Sequence, residues 1–156
     1  MYVAAWLPWR LKMSIGKGLG LLAWRFAKRR RRITDTNIAL CFPEKSAEQQ
    51  RQLVKESFIA NGIGLVETAT GWCRNGESLR HRVAYIGEEH MARAQARGKG
   101  VIIIGVHFSS LDLGGALHAL FFSADAVYRP HNNPLFERFM TRARGRNFGV
   151  AIDRYD

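Results

Sequence analysis

Acidic residues are missing from the first 32 positions. Residues 1–32 hold nine Lys and Arg and no Asp or Glu, and the first acid is Asp35. An all-basic leader implies an anionic partner: nucleic acid, an anionic lipid surface or an acidic protein. Cysteine is scarce. Cys41 and Cys73 stand alone, with no C-x-x-C pair. That argues against a disulfide framework or a zinc ribbon and fits a reducing compartment. Long apolar runs are lacking too. No uncharged stretch approaches the roughly 18–20 residues needed to span a bilayer, so no crossing segment is expected. Also absent are a G-x-S-x-G elbow, a spaced His/Cys/Glu set for a metal and a Gly-rich phosphate loop, which leaves metal-free chemistry with no cofactor as the expectation.

What is present is enough for one folded domain. The 156 residues are 47% hydrophobic, and the formal net charge is +11, so a packed core is expected rather than disorder. Residues 1–10 place Trp6 and Trp9 around Pro8. Residues 13–27 read as a short helix with Gly16, Gly18 and Gly20 as small positions, followed by the basic run 28–32. Residues 1–32 thus read as a basic amphipathic segment that lies on an anionic membrane surface. The competing structural reading is a core helix with a solvated basic end. No duplex-reading module is recognisable, and no nucleic-acid partner is expected.

Residues 33–156 read as part of one α/β domain. Pro43 ends what precedes it, and Ser46 with Gln49 has capping-box spacing. A helix then runs to about Trp72, with Gly62 and Gly64 marking close approach to another backbone. From residue 83 the pattern alternates. Strands are predicted at 83–86, 101–106, 124–128 and 148–152, with helices between them, giving right-handed βαβ units. The β-branched run 101–106 predicts a strand buried on both faces. The fold class is therefore α/β: a mainly parallel sheet with flanking helices, an amino-terminal helical region and an incomplete sheet.

Three predicted strands end in conspicuous polar residues: His107, then Arg129, then Asp153 with Arg154. Ligands of open α/β sheets bind outside the carboxyl ends of the strands, so these residues are expected along one edge. His107 serves as a general base if a carboxylate orients it, and Asp112 lies one helical turn away. Each residue also has a structural explanation. Ser109 and Asp112 match a capping box, and an acid in a first turn suits the helix dipole. Arg129 reads equally as a solvated strand end and Asp153 as a cap. Their convergence favours an active-site edge that activates a bound hydroxyl. Arg129 would hold an anionic group of the substrate.

The stretch G-V-H-F-S-S-L-D-L-G-G at 105–115 resembles the H-x4-[D/E] signature of the bacterial lipid A secondary acyltransferases, a branch of the glycerophosphate-acyltransferase-like superfamily. The likeness extends to the basic stretch and L-C-F-P-E at 29–46, to 64–72, to 85–91, to Y-R-P-x-x-N-P at 128–134 and to the D-R element at 153–154. It implies transfer of a fatty acyl group from acyl carrier protein to a hydroxyl of a Kdo-bearing lipid A precursor, at the cytoplasmic face of the bacterial inner membrane. His107 would be the base, Asp112 its helper, and Arg129, Asp153 and Arg154 would bind substrate. Asp112 stands where many members have Glu. Members also begin with a hydrophobic anchor helix and continue past Asp156, so the chain resembles an amino-terminal fragment. Alternatives kept open are an inactive membrane- or lipid-binding piece, a thioester hydrolase and a basic nucleic-acid-binding protein.

Overall fold

The computed structural model describes residues 2–146 and 149–153. The chain starts with two helices, α1 (Tyr2–Trp6) and α2 (Trp9–Phe26), and α3 (Lys28–Cys41) follows after the single residue Ala27. The basic run therefore opens a new helix instead of trailing from α2. Five cations occupy its first turn and a half, at the positive end of its dipole, with no acid to offset them. No residue of α3 is buried.

The long helix α4 (Ala47–Cys73) is the spine. Its start is the predicted capping box: the Gln49 N–H donates to Ser46 Oγ at 3.3 Å, and the Ser46 N–H donates to Gln49 Oε1 at 2.9 Å. Val54, Phe58, Val66, Ala69 and Trp72 are buried along it. Its glycines let backbones meet. A Cβ on Gly16 of α2 would lie 2.7 Å from the Ile63 Cα, and one on Gly20 would lie 2.6 Å from the Ile59 Cα. Gly16 and Gly20 are one turn apart on α2, which is why both face α4. Gly18 points away and would meet nothing within 4 Å.

A 3-10 turn (Gly76–Arg82) and α5 (Glu88–Gln95) lead through Gly98 and Gly100, both at positive φ, into residues 101–108, which form neither helix nor strand. α6 (Leu111–His118), β1 (Ala126–Tyr128), α7 (Pro134–Arg144) and β2 (Ala151–Asp153) complete the described residues. β1 and β2 pair in parallel, Tyr128 opposite Asp153. With α7 as the crossover they make one βαβ unit. The core beneath it joins Ala5, Trp72, Cys73, Met140 and Ala143, with Tyr128 and Phe139 against them.

The fold is broadly α/β, as expected, but its sheet among the described residues is only these two strands. Residues 101–106 form no strand, and Ile102 and Ile104 are each 91% exposed. A β-branched run becomes a buried strand only when neighbours satisfy its N–H and C=O groups, and no ladder partner lies beside it among the described residues. Residues 83–86 are also unpaired. Tyr85 is held instead by its ring, 4.8 Å from Phe121 and 5.4 Å from Phe122, and its hydroxyl lies 3.3 Å from His118 Nδ1.

Candidate active-site edge

His107 lies near the end of this irregular segment, exposed, and makes no hydrogen bond among the described residues. The turn after it is set by α4. A Cβ on Gly64 would lie 2.6 Å from the Ser109 Cβ, and one on Gly71 would lie 3.0 Å from the Leu113 Cα. The backbone of α4 thus runs directly along residues 109–113, with Leu113 and Ala116 buried beneath. α6 begins after Ser110, whose side chain makes no capping bond. The Ser109–Asp112 capping box is therefore not formed, because the helix starts one residue later than that spacing requires.

Asp112 has another partner. Arg144, the last residue of α7, donates from Nε at 3.1 Å and from Nη2 at 3.0 Å, both to Oδ1. The two side chains retain 22% and 25% of their exposure, so solvent screens the pair only partly. Oδ2 accepts no hydrogen bond among the described residues. His107 and Asp112 are on one corner but not bonded to each other. Replacing Arg144 with Gln should cost about 1–2 kcal/mol, between an exposed and a buried ion pair. A double-mutant cycle with Asp112→Asn, followed by urea unfolding, checks it. Additive losses would mean that the pair is not coupled.

The carboxyl edge of the sheet holds the next two residues. Arg129 follows β1 directly, and Asp153 ends β2 opposite Tyr128. Arg154 lies outside the described residues. The loop after Arg129 is braced from α7. Asn133 caps that helix, accepting from the N–H groups of Leu135 and Phe136 at 3.0 and 3.2 Å, and Pro134 follows it at the first helical position. The His131 N–H donates to Glu137 at 2.6 Å, and the Thr141 hydroxyl donates to Glu137 at 2.7 Å. These bonds, the His131 N–H first, hold the Glu137 carboxyl below its ordinary range.

Glu67 sits on α4 between Gly64 and Gly71, within the half-buried side of that helix. Burial raises its carboxyl above the ordinary 4.5. The fold then holds the proton more tightly than the unfolded chain does. Stability should fall as pH climbs from 4.5 through the raised value, and the cost persists above it. Glu67→Gln should stabilise the chain at neutral pH, by less than about 1 kcal/mol since water screens the group. Urea titrations at several pH values should show the gain vanishing well below 4.5. A gain that persists in acid would assign it to packing instead.

Sequence reasoning missed Arg144 and Glu137. Arg144 is one of four arginines in residues 138–146, and nothing in that pattern singles it out. Glu137 carried a usable signal, since an acid in the first turn after Asn-Pro marks a helix start.

A family model described as bacterial lipid A biosynthesis acyltransferase matches residues 1–156. The chain belongs to this family. A lipid A biosynthesis lauroyltransferase of Escherichia coli K12 is 36% identical over 156 residues, which is 100% of this chain and 51% of that protein. A lipid A biosynthesis palmitoleoyltransferase of the same organism is 39% identical over 148 residues, 95% of this chain and 48% of the relative. A lipid A biosynthesis acyltransferase of Haemophilus influenzae is 30% identical over 152 residues, 94% and 46% of the two chains. No solved structure matches. The chain spans about half the length of the curated relatives it matches. Among the described residues, no helix of this lipid A acyltransferase family member is long and apolar enough to cross a membrane.

Proposed function

We propose that this chain carries the acid–base edge of an acyltransferase acting on a lipid A precursor, with acyl carrier protein as donor. The match of the lipid A acyltransferase model across residues 1–156 carries this reading. In the step proposed, His107 takes the proton of an acceptor hydroxyl. The hydroxyl oxygen attacks the thioester carbon, the C–S bond breaks, and the imidazolium returns its proton to the departing thiolate. Asp112 stabilises that imidazolium through the oxygen that Arg144 leaves open. Arg129 holds a phosphate or sugar of the acceptor, and Asp153 and Arg154 take part in substrate binding. No metal or cofactor enters the step.

The same reading places the chain on the cytoplasmic face of the inner membrane. Leu11, Ile15, Leu19, Leu22 and Phe26 of α2 are all exposed. At 100° per residue they fall within about 80° of arc, beside the Gly16–Gly20 face that packs on α4. An exposed apolar stripe on a helix with Arg and Lys to its other side suits the headgroup–acyl boundary. The cationic first turn of α3 continues the surface, and lipid anions would offset its unfavourable dipole. Acyl carrier protein and the acceptor, both anionic, suit the net charge of +11.

A second reading, a lipid-binding piece without transfer, is favoured by one observation: the 101–106 run that leads to His107 has no ladder partner among the described residues. Acyl transfer should be compared between this chain and the same chain joined to the carboxyl half of a relative. Transfer by the joined chain supports the acyltransferase. Vesicle binding by both with transfer by neither selects the second reading. Salt-sensitive DNA binding without vesicle binding overturns both.

A further inference from the structure

The acyl-transfer edge leaves a second polar cluster unused, where α1, the start of α2 and the end of α4 meet. Its centre is Lys12, buried at 1% exposure. Its ammonium donates to the Ala5 carbonyl at 2.6 Å and to Thr70 Oγ1 at 3.2 Å. Two of its three N–H positions are used, and the third has no partner among the described residues. Two more cations lie close. Arg82 is 5.7 Å from the centre of the Trp9 ring, whose other neighbour is the Lys12 ammonium at 5.8 Å. Arg74 is 5.3 Å from the Trp6 ring, and its Nε is buried with no hydrogen-bond partner. Burial, then Arg74, then Arg82, hold the Lys12 ammonium below the ordinary lysine range.

Such an arrangement is unfavourable as it stands. Like charges repel, and a desolvated cation requires a counter-charge. No carboxylate pairs with Lys12, Arg74 or Arg82 among the described residues. The tryptophan faces relieve the repulsion only partly, since a cation–π contact contributes roughly 0.5–2 kcal/mol. Two guanidinium forks and one ammonium fit a phosphate better than a carboxylate. A phosphate monoester carries about −1.5 to −2 charge at neutral pH and three acceptor oxygens. The cluster also adjoins the amino end of the exposed α2 stripe, where a headgroup phosphate would sit.

We propose that Lys12, Arg74 and Arg82, flanked by Trp6 and Trp9, form a binding site for a phosphate monoester, separate from the His107–Asp112 edge. The phosphate comes from a lipid headgroup or from a soluble phosphate, and only the first source rests on the membrane reading above. The test measures binding to phosphatidylcholine vesicles containing phosphatidic acid, against vesicles of equal total charge containing phosphatidylserine. A parallel arm follows the melting temperature in inorganic phosphate.

The wild-type chain should prefer the phosphatidic acid vesicles. Arg74→Gln with Arg82→Gln should remove that preference and weaken binding to these vesicles about ten- to a hundredfold, the loss of two charge-assisted contacts. Arg29→Gln with Arg30→Gln removes the same charge from exposed positions of α3. It should weaken both vesicle types alike and leave the preference intact. If no vesicle binds, but phosphate raises the melting temperature of the wild type and not of the Arg74/Arg82 variant, the site stands with a soluble ligand and the membrane reading fails. Equal binding of both vesicle types with no phosphate effect overturns the site. So does an Arg74/Arg82 variant that loses no more than the Arg29/Arg30 variant. The exposed Arg82→Gln alone replaces the double variant if the latter does not fold.

Discussion

His107→Ala should reduce acyl transfer by about 10²–10⁴-fold, the usual share of a positioned general base, while the melting temperature stays where it is. The assay uses the chain joined to the carboxyl half of a relative. The stability side follows from geometry: His107 is exposed and holds nothing in place, so its loss belongs with ordinary surface substitutions, within about 0.5 kcal/mol. The activity side follows from the chemistry proposed, in which no other group at the corner accepts the hydroxyl proton. Asp112 is not placed to substitute, because two hydrogen bonds from Arg144 already occupy one of its oxygens. The loss should appear in kcat more than in KM, since the ring acts as charge develops and not when substrate binds. Transfer at near wild-type rate by the variant would remove His107 from the mechanism and with it the proposed role of Asp112. A collapse of stability would instead make the exposed position of His107 incorrect.

Local signals were legible in the sequence, and pairwise ones were not. The Ser46–Gln49 cap, the Asn133–Pro134 helix start and the close backbone approach at Gly62 and Gly64 each depend on a few adjacent residues, and all appear in the structure. The β1–α7–β2 unit was legible for the same reason: a short apolar stretch ending in Val127 and Tyr128, a periodic helix and a second short stretch lie in order. The 101–106 run read as a buried strand because its composition satisfies one requirement of such a strand, apolar side chains for both faces. The other requirement, neighbours on either edge, is a property of the whole sheet and is written nowhere in those six residues. The Asp112–Arg144 pair joins positions 32 residues apart, so no local pattern announces it. Lys12 shows the same limit. In sequence it is one cation of a basic leader, and only the packing of α1 and α2 on α4 makes it a buried one.

The same substitution at two glycines of neighbouring helices should have opposite signs. Gly62→Ala would set a Cβ against the Gly16 carbonyl and the Gly20 N–H, with the Gly20 Cα at 2.7 Å. All three are backbone atoms, so no rotamer change relieves the overlap, and α2 must move away from α4. Overpacking of this kind costs about 1–3 kcal/mol or more, and the helix preference for alanine over glycine returns at most about 1 kcal/mol. The net expectation is a destabilisation of about 2 kcal/mol, or roughly 4–8 °C in melting temperature for a chain of this size. Gly18→Ala meets nothing within 4 Å, so only the helix preference operates, and it should stabilise by up to about 1 kcal/mol. Urea unfolding of both variants decides the point. If both were stabilising, α2 would not lie against α4 as described, and the exposed apolar stripe assigned to the membrane would lose its basis. Opposite signs tie α2 to the spine that also sets the His107–Asp112 corner, so that the stripe proposed to meet a membrane and the proposed transfer edge both pack on α4.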